Sequence, residues 1–133
     1  MLEPADLIDF AKRYTAAWCS QDAASVAAFY SPNASLCIND GVPSVGRAAI
    51  TQAAEGFMTA FPDLEVLMGR VVLCEKNAEY HWTLTGTNTG PSGTGRRVKI
   101  SGFEVWTIGA DALIVESNGN FDGEDYQRQL ARV

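Results

Sequence analysis

The stretch I-S-G-F-E-V-W-T-I, Ile100 to Ile108, decides how this chain is read. As a strand it alternates: Ile100, Gly102, Glu104, Trp106 and Ile108 fall on one face, and Ser101, Phe103, Val105 and Thr107 on the other. Glu104 is the one charged group in an otherwise apolar row. A carboxylate there must be paired, hydrogen-bonded or protonated, because an isolated buried charge is too costly. Two roles stay open for it. It is either a tuned carboxyl group doing acid–base work, or a structural carboxylate satisfied by Tyr14, His81 or an arginine.

Working outward, 133 residues make one domain over 1–133, and 47% hydrophobic content supports a core without staples. Net charge is −6 and the pI about 4.6, so nucleic acid is not an expected partner. No apolar run has the ~20 residues of a membrane span, and no charged-then-apolar leader opens the chain, so no membrane partner is expected. Cys19, Cys37 and Cys74 lack metal-type spacing and read as reduced, mostly buried thiols of a cytoplasmic protein.

Upstream of the strand, Pro4 and Asp6 open a helix with Leu7, Ala11, Tyr14 and Trp18 as its buried stripe. Asp22 caps a short second helix carrying Val26, Phe29 and Tyr30, ended by Ser31-Pro32-Asn33. Ala34 to Asn39 reads as a strand, Asp40-Gly41 as a turn, and Val42 to Val45 as a short return. A third helix runs from Arg47 to about Phe61, burying Ile50, Ala54, Phe57 and Phe61. Strands follow over Leu64 to Glu75, Ala78 to about Asn88, Arg97 to Ile108 and Leu113 to Phe121, with Lys76-Asn77 as a turn. Asp122 caps a last short helix, with Asp125 in a capping-box position and Tyr126 and Leu130 facing in. Helices first and hairpin-linked strands after argue α+β: a curved mixed or antiparallel sheet, covered by three helices from the N-terminal half, plus a short C-terminal helix. Such a sheet encloses a cone whose wide end suits a small molecule.

Several runs carry a resemblance. R-Y-T-A-A-W-C-S-Q-D (Arg13 to Asp22), F-Y-S-P-N-A (Phe29 to Ala34), G-R-A-A-I (Gly46 to Ile50) and F-P-D (Phe61 to Asp63) resemble the nuclear transport factor 2-like superfamily. T-G-T-N-T-G (Thr85 to Gly90) and E-S-N-G-N-F-D (Glu116 to Asp122) look most like its SnoaL-like polyketide cyclase branch. The resemblance spans essentially the whole chain. It implies a cone-shaped α+β barrel, a hydrophobic pocket and a homodimer packed through the outer sheet face. Laid on ketosteroid isomerases of the same superfamily, the oxyanion-donating tyrosine falls on Tyr14 and the protonated acid on Glu104. The usual base falls on Ile38, with Asp40 two residues on. The catalytic aspartate of the cyclases falls near Gly119 and Asn120, with Asp122 the nearest carboxylate.

His81 is the single histidine. With the hairpin tip at Pro91-Ser92 or one residue later, Glu79, His81, Thr83 and Thr85 share the face of Glu104. A one-residue slip puts Tyr80, Trp82 and Leu84 there instead. Apolar content favours the slip, and the family resemblance favours His81 inward. Asn118 and Asn120 are expected to point outward unless a bulge at Gly119 reverses them. Trp18, Phe29, Phe57, Phe61, Thr83, Trp106, Ser117, Gly119 and Phe121 are the expected pocket wall. The Gly-rich loop Thr85 to Gly95 lacks a Lys-Ser/Thr ending and a following helix, so it reads as a hairpin connection rather than a phosphate cradle.

Two functions follow. The first is a cofactor-independent cyclase- or isomerase-like enzyme, with no metal, acting on a hydrophobic polyketide-like carbonyl compound. Tyr14 and Glu104 would stabilise an enolate, and Asp40, His81 or Asp122 would serve as base. The alternative is a non-catalytic module of the same fold, binding a hydrophobic ligand or assembling as a dimer.

Overall fold

In a computed structural model, residues 3–75 and 77–131 are described. The first helix, α1 (Pro4–Cys19), carries proline in its first turn, where the missing N–H costs nothing. It buries Leu7, Phe10, Ala11, Tyr14 and Ala17. The short α2 (Ala23–Ala27) is capped as expected: the Asp22 carboxylate accepts from the Ala24 N–H at 3.2 Å. Strand β1 (Tyr30–Ile38) begins four residues earlier than the sequence suggests. Ser31-Pro32-Asn33 does not end the chain segment as a loop. It forms an irregular entry, because Tyr30 already pairs with Ile114 before the regular ladder starts at Ser35.

Asn39 and Asp40 adopt left-handed backbone (φ 51° and 58°), which short polar side chains tolerate, and turn the chain into β2 (Ser44–Val45). Next comes α3 (Arg47–Ala60), burying Ile50, Ala54 and Met58, and then β3 (Glu65–Leu73), β4 (Ala78–Thr87), β5 (Arg97–Ile108) and β6 (Ile114–Phe121). The expected Lys76-Asn77 turn includes Lys76, which lies outside the described residues. The chain ends in α4 (Gly123–Ala131), where the Asp122 carboxylate accepts from the Asp125 N–H at 3.0 Å. Tyr126 and Leu130 pack inward against the core, as their spacing predicts.

The six strands form one sheet in the order β2-β1-β6-β5-β4-β3. All pairs are antiparallel except β1 with β6. The sheet is mixed and open. It does not close into the barrel that the resemblance implies, since β2 and β3 are free edges. The fold is otherwise the expected α+β arrangement of sheet and helices. The core lies between the inner sheet face and the helices, around Tyr14, Tyr30, Tyr80 and Trp106, all at most 1% exposed. Trp106 stacks on Tyr80 at 4.8 Å and Tyr14 meets Trp106 edge-on at 5.1 Å, arrangements that aromatic quadrupoles favour.

The register of β4 on β5 decides which groups look inward. Tyr80 lies opposite Glu104, Trp82 opposite Gly102 and Leu84 opposite Ile100, so the ladder is centred on Ser92. His81 and Thr83 therefore face outward, opposite Phe103 and Ser101. This is the slipped register that apolar content favours, and it corrects the placement of His81 and Thr83 on the Glu104 face. Burial of Tyr80, Trp82 and Leu84 outweighs burial of a histidine and two threonines. The asparagines do point outward, as expected: Ser117 and Gly119 are buried while Asn118 is exposed. The cysteines are free; Cys19 is exposed and Cys37 and Cys74 are half-buried, so they are not the buried thiols expected. No helix among the described residues is long and apolar enough to cross a membrane.

Candidate functional site

Glu104 comes from the middle of β5, and its side chain is 8% exposed. Four neighbours hold one of its oxygens. Oε1 accepts from Ser117 Oγ at 2.7 Å, Trp106 Nε1 at 3.0 Å, Tyr14 at 3.0 Å and Tyr30 at 3.4 Å. Each donor arrives for a reason legible in the fold. Trp106 is two residues along the same strand face. Ser117 sits opposite Trp106 on β6. Tyr14 descends from α1, and Tyr30 opens β1. Oε2 has a single contact among the described residues, the Tyr14 hydroxyl at 3.2 Å. One oxygen is thus fixed in place and the other keeps free lone pairs.

The electrostatics follow from burial. Loss of water pushes the Glu104 carboxyl above the ordinary carboxylate range, and the bonds from Trp106, Ser117, Tyr14 and Tyr30 pull part of that back. Burial, then the neighbouring Glu104 charge, drives the Tyr14 and Tyr30 hydroxyls well above the usual tyrosine value of 10.0. Both tyrosines therefore stay neutral and act as donors. Their hydroxyls also lie 2.9 Å apart, within hydrogen-bond distance of each other, and both reach Glu104 Oε1. Tyr80 is likewise held neutral by burial, and its hydroxyl bonds Thr15 on α1.

Glu104 opens onto a cavity of about 60 Å³. The buried floor is made by Tyr14, Leu36, Val66, Tyr80, Leu84, Ile100 and Gly119. The half-buried side chains Trp18, Ile38, Phe57, Trp82 and Phe121 form its rim. Of the expected wall, Trp18, Phe57, Gly119 and Phe121 do line it. Trp106 and Ser117 lie behind Glu104 as its hydrogen-bond donors rather than on the wall. Phe29 packs edge-on against Phe10 and Tyr14 at 5.2 and 5.6 Å, in the core. Phe61 is fully buried against Gly86 and Tyr126.

The three expected bases lie elsewhere. His81 is on the outer face, with Nε2 3.2 Å from Glu79 Oε1 and its ring stacked on Phe103. Asp40 sits in the exposed turn after β1, because the strand reaches its end at Ile38. Asp122 spends its carboxylate on capping α4. Asp40 and Asp122 share only a shallow depression outside the cavity. Tyr14 and Glu104 are the two expected groups that the fold brings together. Tyr30, Tyr80 and Trp82 are contributors that sequence reasoning missed or left open. The inward register of β4 is the signal for the last two; the sequence places Tyr30 on the second helix, whereas α2 ends at Ala27 and Tyr30 opens β1. Among the described residues, no cluster of three or more His, Cys, Asp or Glu side chains is placed to hold a metal ion.

Residues 11–117 match the family described as the SnoaL-like domain. The chain belongs to the SnoaL-like domain family. No curated protein matches its sequence. Solved structures with the same fold include a candidate SnoaL-like polyketide cyclase from Jannaschia sp. CCS1, at 16% identity, covering 100% of this chain and 98% of that one, TM-score 0.83. SalBIII, an epoxide hydrolase/cyclase-like enzyme in pyran ring formation in the polyether salinomycin, is 19% identical over 94% of this chain and 97% of its own, TM-score 0.80. A hypothetical protein with a ketosteroid isomerase-like fold from Catenulispora acidiphila DSM 44928, in complex with trimethylamine, is 10% identical over 92% of each chain, TM-score 0.81. At these identities the SnoaL-like domain shares their fold, and its chemistry must be argued from its own residues.

Proposed function

We propose that this SnoaL-like domain is a cofactor-independent enzyme of the cyclase or isomerase type, moving a proton beside the carbonyl group of a small hydrophobic, polyketide-like substrate. Glu104 is the proton-transfer group. The observation that carries this reading is that, among the described residues, Glu104 alone supplies a carboxyl group to the cavity, with Oε1 held by four neighbours and Oε2 by the Tyr14 hydroxyl alone. Burial strengthens it as a base and lets it hold the proton it removes. Oε2 takes the proton from the carbon next to the carbonyl, and the C–H electron pair moves onto the carbonyl oxygen as an enolate. In isomerisation the same carboxyl returns the proton to a different carbon. In cyclisation the enolate carbon attacks a second carbonyl carbon, and the proton goes to the new alkoxide.

Tyr14 is better assigned to holding Glu104 than to meeting the substrate, since its proton is already committed to that carboxylate. The reading includes a homodimer through the outer sheet face, where Leu67 and Val72 are exposed beside the half-buried Phe103. A single-species molecular mass in solution tests that part.

The second reading, a non-catalytic ligand-binding module, is favoured by the placement of Asp40, His81 and Asp122 outside the cavity. Deuterium incorporation separates the two readings. Neutral ketones from cyclopentanone to flat polyketide-like diketones, incubated in heavy water, should gain deuterium beside the carbonyl. Glu104→Gln should slow this by about 10²–10⁴-fold. Binding without any exchange gives the ligand-binding reading instead.

A further inference from the structure

Glycine inside a strand weakens it, because it has the most backbone freedom to lose and no side chain to pack. Most of the strand glycines in this sheet have a plain steric reason. A Cβ on Gly102 would collide with the Asn120 carbonyl and lie 2.7 Å from Trp82 Cζ2. One on Gly86 would lie 2.9 Å from Phe61 Cβ, and one on Gly69 would lie 3.3 Å from the His81 carbonyl oxygen. Their neighbours leave little or no room for a side chain.

Gly119 differs. It is buried inside β6, between β1 and β5, and its backbone is not left-handed. A Cβ there would meet only ordinary van der Waals contacts: the Cys37 carbonyl oxygen at 3.7 Å, Glu104 Cγ at 3.8 Å and Ile38 Cγ1 at 3.9 Å. Neither the conformation of the chain nor its packing asks for glycine at this position. The cavity does. The register sets Ile38, Gly119, Glu104 and Tyr80 side by side across β1, β6, β5 and β4, and each of them lines the cavity. In that row the side chains of Ile38 and Glu104 flank a gap of bare backbone. A side chain at 119 would stand in this gap, against the acid.

We propose that Gly119 is the specificity-determining residue of this cavity: the reacting end of the ligand lies against its bare backbone, in the gap between Ile38 and Glu104. The inference rests on the cavity being the ligand site proposed above, and not on Glu104 moving a proton. It adds to the substrate class that the carbon beside the carbonyl arrives as part of a ring or chain laid against the sheet. Residue 119 then gauges how large that part can be. The strand gives up the packing of one side chain to keep the space open.

The test compares wild type with Gly119→Ala and Gly119→Val, using cyclopentanone and the larger, flat 1-indanone as probes. Thermal denaturation, ketone binding by NMR titration and deuterium exchange in heavy water are read on each protein. Gly119→Ala should melt at or above the wild-type temperature, because the methyl fits and alanine suits a strand interior better than glycine. It should bind 1-indanone about tenfold or more weakly, the discrimination that one methyl group in a pocket supplies, and cyclopentanone with a smaller loss. Gly119→Val should extend the loss to cyclopentanone. A lower melting temperature for Gly119→Ala would show that the fold itself needs this glycine, and would overturn the proposal. Equal binding of 1-indanone to wild type and Gly119→Ala would overturn it too. In either case exchange by the wild type leaves proton transfer standing. If the wild type binds both ketones without exchange and Gly119→Ala loses 1-indanone, the specificity role stands and proton transfer falls. Failure of both ketones to bind the wild type overturns both.

Discussion

Strands β4 and β5 carry an acid on each face, and the two are treated differently. Inside, Glu104 lies opposite Tyr80, is 8% exposed, and receives four donors on one oxygen. Outside, one residue away along β4, Glu79 pairs with His81 at 3.2 Å, both partly open to water. Solvent does the work of neutralising the outer pair. Inside, the fold must supply every partner, and burial still raises the carboxyl above its ordinary range. The difference shows that acid–base power here comes from the face on which a group lands more than from its type. A histidine next to a glutamate looks like the better couple in the sequence, yet it sits where water screens it.

The strongest way to break the contrast is to remove the inner acid. Glu104→Ala leaves the Trp106 N–H and the Ser117 and Tyr14 hydroxyls without their acceptor. It should cost about 3 kcal/mol of stability in urea unfolding, along with all exchange activity. His81→Ala and Glu79→Ala should each change stability by less than about 1 kcal/mol and leave exchange intact. An equal loss from the outer variants would erase the distinction between the faces.

Gly102→Ala sharpens the picture from the wall. The new methyl must displace the Trp82 ring or the β6 backbone, so a loss of about 1–3 kcal/mol is expected from thermal denaturation. Tyr14→Phe is milder. It deletes one donor to Glu104 and should destabilise by about 1–2 kcal/mol while raising the carboxyl pKa further, since the Tyr14 bond lowers it. The acidic limb of the rate profile should move to higher pH in this variant.

The smallest effect is a slope. Because the folded-state pKa of Glu104 is raised, its contribution to stability is full below the ordinary value of 4.5 and fades as pH rises through the folded value. Wild type should therefore lose stability relative to Glu104→Gln as pH climbs from 4.5 toward neutrality. The opposite sign would mean that the four donors outweigh burial.

Much of this was legible in the residues. Alternation along Ile100 to Ile108 placed Glu104 and Trp106 on one buried face, and the helical stripe of α1 sent Tyr14 toward them. Their meeting needed only the fold class. The pairing of β4 could not be read, because a shift of one residue exchanges His81 for Tyr80 and Trp82, and the Gly-rich sequence from Thr89 to Gly95 fits either tip. Packing of three large side chains decides it. The early start of β1 was hidden by Pro32, which reads as a breaker, although a strand entering through an irregular first turn can hold it. Asp40 and Asp122 looked available because sequence shows a carboxylate without showing that a turn or a helix cap has already claimed the position.

The most direct measurement is a pH titration of the Glu104 side-chain carboxyl carbon by ¹³C NMR, assigned by its absence in Glu104→Gln. An inflection above 4.5, shifting upward again in Tyr14→Phe, is the expected result. An inflection at or below 4.5 would show a carboxylate stabilised as a purely structural anion, and the proton-transfer role of Glu104 would be contradicted.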